Sequence, residues 1–160
     1  MKESERVNLK GYVKVEFLDM VMLNTPIKPV AYLPTLMFKD ESERALAIPI
    51  AKVKYPLLKE ILEEGQSTYR FFSEALKTLG HLIEGSFIYD LEETEAGELK
   101  YLSKLVFKNL TDGKLEELEG DVSDVILMAL SNKVPIYVKE DVMLNASAKL
   151  LQNFDKEQQK

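Results

Sequence analysis

This 160-residue chain predicts a single α+β domain with a mixed or antiparallel sheet. Three observations carry that expectation. The order strand, strand, strand, helix occurs twice. Apolar residues recur every second position in some stretches and every third or fourth in others. Two short turn sequences, Lys39-Asp40-Glu41-Ser42 and Thr111-Asp112-Gly113, separate neighbouring strand patterns, and Asp-Gly favours a hairpin. With 46% hydrophobic residues the chain can bury a sizeable core.

The elements follow in order. Val13, Val15 and Phe17 alternate with Lys14 and Glu16, and the apolar run continues to Leu23. Asn24-Thr25-Pro26 reads as a turn. Val30 to Phe38 and Ala45 to Ile50 are the next strands. Val53, Leu57, Leu58, Ile61 and Leu62 fall at helical spacing, with Pro56 in the first turn and Gly65 as the stop. A second helix runs from Thr68 to Leu79, capped by Ser67 or Thr68 and closed by Gly80. Its apolar stripe is Phe71, Phe72, Ala75, Leu76 and Leu79, which places the two phenylalanines in the core and leaves Tyr69 and Arg70 exposed. The second half repeats the order: a strand at Ile83 to Leu91, an acidic loop at Glu92 to Glu98, strands at Leu99 to Lys108 and Lys114 to Leu118, and a helix at Val122 to Asn132. A short strand, Ile136 to Val138, and a helix near Lys139 to Leu151 complete the pattern. The expected organisation is an N-terminal segment 1–11, a domain 12–152 and a polar tail 153–160.

Composition bounds the chemistry. There is no cysteine, so thiolate nucleophiles, disulfides and cysteine metal sites are excluded. His81 is the only histidine, so any metal would need carboxylate ligands and would be a hard ion such as magnesium or manganese. The net charge of −6 argues against broad nucleic-acid binding. The charged N-terminus lacks the apolar run of a signal peptide, and the longest uncharged stretch, Pro29 to Phe38, is too short for a span. A cytoplasmic protein is the expectation.

Several residues invite a functional reading. Glu119, Asp121 and Asp124 could hold a divalent ion that activates water, as two-metal phosphodiester cleavage requires. The plainer reading makes Asp121 or Ser123 the cap of a buried helix, with Asp124 near its positive end. Lys100, Lys104 and Lys108 share one strand face, with Lys114 across the hairpin. They form the best local basic patch, or a solvated edge strand on which lysine discourages pairing. Arg70, beside Tyr69, could add a phosphate contact and a stacking ring for single-stranded nucleic acid. His81 follows Gly80 at a helix end, where a cation is favourable.

The stretch Ser123-Asp124, then Ile126, Ala129 and Leu130, then Pro135-Ile136-Tyr137-Val138, resembles the C-terminal signature of the bifunctional nuclease domain family. That family shows Arg-Pro-Ser-Asp-Ala, an apolar helix, and Pro-Ile-(Phe/Tyr)-Val. Upstream, Ala47-Ile48-Pro49-Ile50 is similar to its Leu-Pro-Ile strand. Thr68 to Leu79 is similar to its Thr-His-Asp-Leu helix, and Ile83 to Leu91 to the strand that follows. The likeness spans roughly Val13 to Met143. It implies a compact, oligomeric α+β domain, some members of which are DNA and RNA nucleases. Thr68, Ser123 and Asp124 are the candidate catalytic positions that survive. Asp121-Val122 stands where the family has Arg-Pro, and Tyr69-Arg70 where it has His-Asp.

Two functions follow. One is a metal-dependent DNA/RNA phosphodiester hydrolase. The other is a non-catalytic homo-oligomeric domain, most simply a dimer, that has kept the fold and lost the site. The apolar runs Met20-Val21-Met22-Leu23 and Tyr32 to Phe38 suggest the self-association. Binding to nucleic acid, if present, is expected to be weak, with no membrane association.

Overall fold

The computed structural model describes residues 4–24, 32–63, 67–95 and 99–146. Among these residues seven strands form one mixed sheet in the order β3-β2-β1-β7-β4-β5-β6. They are β1 (Tyr12–Asn24), β2 (Tyr32–Lys39), β3 (Ala45–Pro49), β4 (His81–Glu93), β5 (Leu99–Asn109), β6 (Leu115–Gly120) and β7 (Ile136–Lys139). Helices α1 (Tyr55–Leu62), α2 (Thr68–Thr78) and α3 (Val122–Asn132) complete the two halves, and residues 140–146 are helical. Thr25, Pro26, Gly65, part of the 92–98 loop, the end of the last helix and the 153–160 tail lie outside the described residues.

The repeated order is visible in the topology. β1-β2-β3 and β4-β5-β6 are each an antiparallel meander. β7 joins them, antiparallel to β1 and parallel to β4. Such short connections can only make antiparallel neighbours, so the single parallel pair comes from the chain returning through α3. The sheet curls enough for the buried Tyr101 hydroxyl on β5 to donate to the Ala47 carbonyl on β3, at 3.2 Å.

The core lies on the helix side of the sheet. α3 packs against β4 and β5 on one side and against α1 and α2 on the other. That position explains a helix that is apolar all round: Val125, Ile126, Leu127, Met128 and Ala129 are all buried. Ser86 ties strand to helix by donating to the Val125 carbonyl at 2.7 Å. Leu36, Phe38, Leu46 and Ile48 are completely buried. The part of the apolar run from Leu33 to Phe38 is therefore largely core and does not offer an exposed interface.

α2 corrects the expected stripe. Tyr69 is its buried residue, whereas Phe71, Phe72 and Leu79 are exposed. Both stripes have helical spacing, so periodicity alone cannot say which one meets the core. Ser67 caps α2 by accepting from the Arg70 N–H at 3.0 Å, and Gly80 takes the positive φ of +88° that turns the chain into β4.

β5 is not an edge strand. β6 covers its Ser103 to Lys108 stretch, and β3 and β6 are the two edges. A lysine-guarded edge therefore does not explain Lys104 and Lys108.

Candidate functional site at the start of the third helix

Asp121 ends the strand-to-helix turn and caps α3. Its carboxylate accepts from the Ser123 N–H at 2.9 Å and also from the Ser123 hydroxyl. A helix that begins buried must satisfy its first N–H groups from such side chains. Ser123 is itself buried, so its hydroxyl serves the cap.

Asp124 follows in the first turn, where the helix dipole favours a negative charge. Its carboxylate receives two donors from distant elements. Lys54, in the 3-10 turn Lys52–Lys54, donates its ammonium, and the Tyr69 hydroxyl on α2 donates at 2.7 Å. Three helical segments thus meet on one half-exposed carboxylate. Partial burial opposes its ionisation, but the hydrogen bonds from Lys54 and Tyr69 and the Lys54 charge outweigh that, so its pKa lies below the ordinary carboxylate range. Burial raises the Tyr69 phenol well above its usual value, and the Asp124 hydrogen bond and the charges of Asp124 and Asp121 add to it. Tyr69 is therefore a fixed donor and Asp124 a fixed anion.

The other candidates lie apart from this pair. Ser67 touches Ser131, their hydroxyls 2.8 Å apart, seven residues along α3 from Asp124. Thr68 therefore starts α2 near the opposite end of α3, about 10 Å along its axis. Glu119 pairs in register with Lys104 on β5, on the sheet face turned away from the helices, and accepts from the Tyr89 hydroxyl at 2.9 Å. Glu119, Asp121 and Asp124 thus have separate partners and do not converge. Among the described residues no group of three or more His, Asp or Glu side chains could hold a metal ion. The donor set among the described residues therefore does not fit magnesium or manganese.

The basic patch is real as a face but largely neutralised. Lys104 donates to Glu117 at 2.9 Å and sits over the Tyr89 ring, and Lys108 lies 3.5 Å from Glu84. Lys100 has no carboxylate partner among the described residues. Arg70 is on the helix side of the sheet, so it does not share a surface with the three lysines. An open groove of about 560 Å³ runs beside the end of β6, lined by Pro49, Tyr89, Lys100, Tyr101, Glu119 and Asp121, and Asp124 does not line it. His81 opens β4 opposite Asn109, whereas α3 begins beside the Ser103–Gly120 pair, level with Ile88. Seven strand residues, roughly 20 Å, separate the histidine from that end. Its ring packs edge-on against Phe107, with Nδ1 3.9 Å from Glu116.

Lys54 is the member of the site that sequence reasoning missed, because it is 70 positions from Asp124 and carries no local mark. A second polar cluster was missed for the same reason. Arg44 donates to the buried Asp40 at 2.6 Å and, with both terminal nitrogens, to Glu140 at 2.6 and 2.9 Å. It clamps the β2–β3 hairpin to the 140–146 helix.

No helix among the described residues is long and apolar enough to cross a membrane. A search among curated proteins found no match. A family model described as the bifunctional nuclease domain matches residues 36–150, well over half of the chain. The match covers both stretches that meet at Asp124, with Tyr69 and Asp124 55 positions apart.

Proposed function

Because the chain belongs to the bifunctional nuclease domain family, we propose from its site geometry that it is a member whose signature positions lock the fold and do not cleave phosphodiesters. It then acts as a self-associating, non-catalytic domain. The fixed state of Asp124 carries this reading. Hydrolysis needs one group that takes a proton from water and another that gives one to the leaving oxygen, with pKa values near the working pH. Asp124 is a weak base, held ionised by Lys54 and Tyr69. Tyr69 holds its proton too firmly to give it up. The Ser123 hydroxyl is committed to Asp121.

A second reading keeps the family's chemistry, a metal-dependent hydrolase of DNA or RNA. One observation favours it: the α2 and α3 signature stretches converge on a single half-exposed carboxylate, beside a lysine that could turn to a phosphate. Nucleic-acid contact in either case is weak and rests mainly on Lys100, since Glu117 and Glu84 occupy Lys104 and Lys108.

The experiment incubates labelled single-stranded DNA and RNA with the protein and magnesium or manganese, beside thermal melts of wild type and Asp124→Asn. No cleavage by wild type and a lower melting temperature for the variant are expected. Metal-dependent cleavage that Asp124→Asn abolishes, with an unchanged melt, would establish the second reading.

A further inference from the structure

α2 carries two stripes, and only one meets the core. Tyr69 and Leu76 turn inward. The outward stripe is Phe71, Phe72, Ala75 and Leu79. Phe71 is 77% exposed, Leu79 75% and Phe72 45%. The Leu110 N–H donates to the Gly80 carbonyl at 2.8 Å, which sets Leu110, also exposed, beside the end of the stripe. At about 200 Å² per phenylalanine, Phe71 and Phe72 alone leave on the order of 250 Å² in water. Leu79 and Leu110 extend this into a patch of the size that marks an interaction surface.

The pattern of the stripe identifies its occupant. A two-fold interface must be complementary to itself: residue i meets residue j, and j meets i. Phe71 and Leu79 lie four residues either side of Ala75. If two copies of α2 cross antiparallel at Ala75, each Phe71 meets the other copy's Leu79, and the small central residue lets the helices approach closely. Phe72 adds a ring on one flank and Leu110 widens the contact. The polar residues Arg70, Glu74 and Lys77 lie on the side of the helix opposite this stripe and stay outside the contact.

We propose that α2 forms the two-fold interface of a homodimer, with Phe71 of one copy packed on Leu79 of the other. This rests on the self-association proposed above and names its surface and register. The apolar area per copy falls short of the roughly 800 Å² of a standard interface, so the dimer is concentration-dependent, in the micromolar range.

Light scattering on the full chain at about 100 µM should give twice the 18.3 kDa of one chain. Phe71→Glu and Leu79→Lys should each give a monomer with an unchanged thermal melt, because both side chains are already in water. Having two such variants keeps the test usable if one of them fails to fold. An equimolar mixture of the two should recover the dimer, since one copy's glutamate then faces the other copy's lysine while Leu79 still meets Phe71. A wild-type monomer would end both this inference and the self-associating reading. A dimer that survives both substitutions would end this inference alone. Two monomeric variants that stay monomeric when mixed would refute the antiparallel register.

Discussion

Replacing Asp124 tests whether its carboxylate is a structural hub. Asp124→Asn removes the charge and keeps a carbonyl for the Tyr69 hydroxyl. The charge contributes about 0.3–1 kcal/mol at the helix start. The half-exposed pair with Lys54 adds about 0.2–1 kcal/mol after solvent screening. The sum is about 1 kcal/mol, which for a chain of this size lowers the melting temperature by roughly 2–4 °C. Asp124→Ala also strips the acceptor from the buried Tyr69 phenol, and an orphaned buried hydroxyl costs a further 1–3 kcal/mol, approximately. That variant should melt roughly 5–10 °C below wild type. In the Tyr69→Phe background no hydroxyl is left to orphan, so Asp124→Ala should there cost no more than Asp124→Asn does alone. Thermal melts followed by circular dichroism on wild type, Asp124→Asn, Asp124→Ala, Tyr69→Phe and the Tyr69→Phe/Asp124→Ala double variant measure this. The hub is refuted if Asp124→Ala leaves the melt unmoved, or if its cost is the same with and without the Tyr69 hydroxyl.

Arg44→Ala should cost about 3 kcal/mol by thermal or urea unfolding, because it leaves the buried Asp40 with only the Ser42 and Arg44 N–H groups. An unchanged midpoint would show that the clamp adds nothing. Asp121→Ala removes the α3 cap and should cost about 1 kcal/mol, measurable in the same experiment. Acid should destabilise the fold through Asp40, Asp124 and Glu140. Their folded pKa values are lowered, so their stability is present above the unfolded carboxylate values near 4 and is lost as pH falls through the folded ones. Melting temperature should therefore hold from about pH 7 to 5 and drop below about pH 4, and a melt flat to pH 2 would contradict the cited pairings. In fluorescence anisotropy with a labelled single strand, Lys100/Lys104/Lys108→Ala should change the salt slope by about one charge, because two of the lysines already have carboxylate partners. A loss of about three would show that those pairs open on binding.

The sequence by itself determined the elements and their order. Val13 to Phe17 alternates and an apolar run continues to Leu23, and the strand they form pairs with a neighbour on each side. The helix expected at Val122 to Asn132 has those bounds, because Asp121 and Ser123 form its cap from adjacent residues. Gly80 and Gly113 mark their turns because a positive φ is a local property. The likeness to the family was legible for the same reason, since its signature stretches are short and contiguous. Tertiary structure alone decided which surface of each element meets the core. α2 carries two apolar stripes at one period, and only the packing of Tyr69 toward Asp124 turns Phe71 and Leu79 outward. It also decided the fate of the charges. Lys54 meets Asp124 across 70 positions and Arg44 meets Glu140 across 96, while Glu119 and Asp124, five residues apart, end on opposite sides of a sheet. Backbone conformation is set by near neighbours in the chain, whereas ion pairing and burial are set by neighbours in space, which only the folded sheet and its helices bring together.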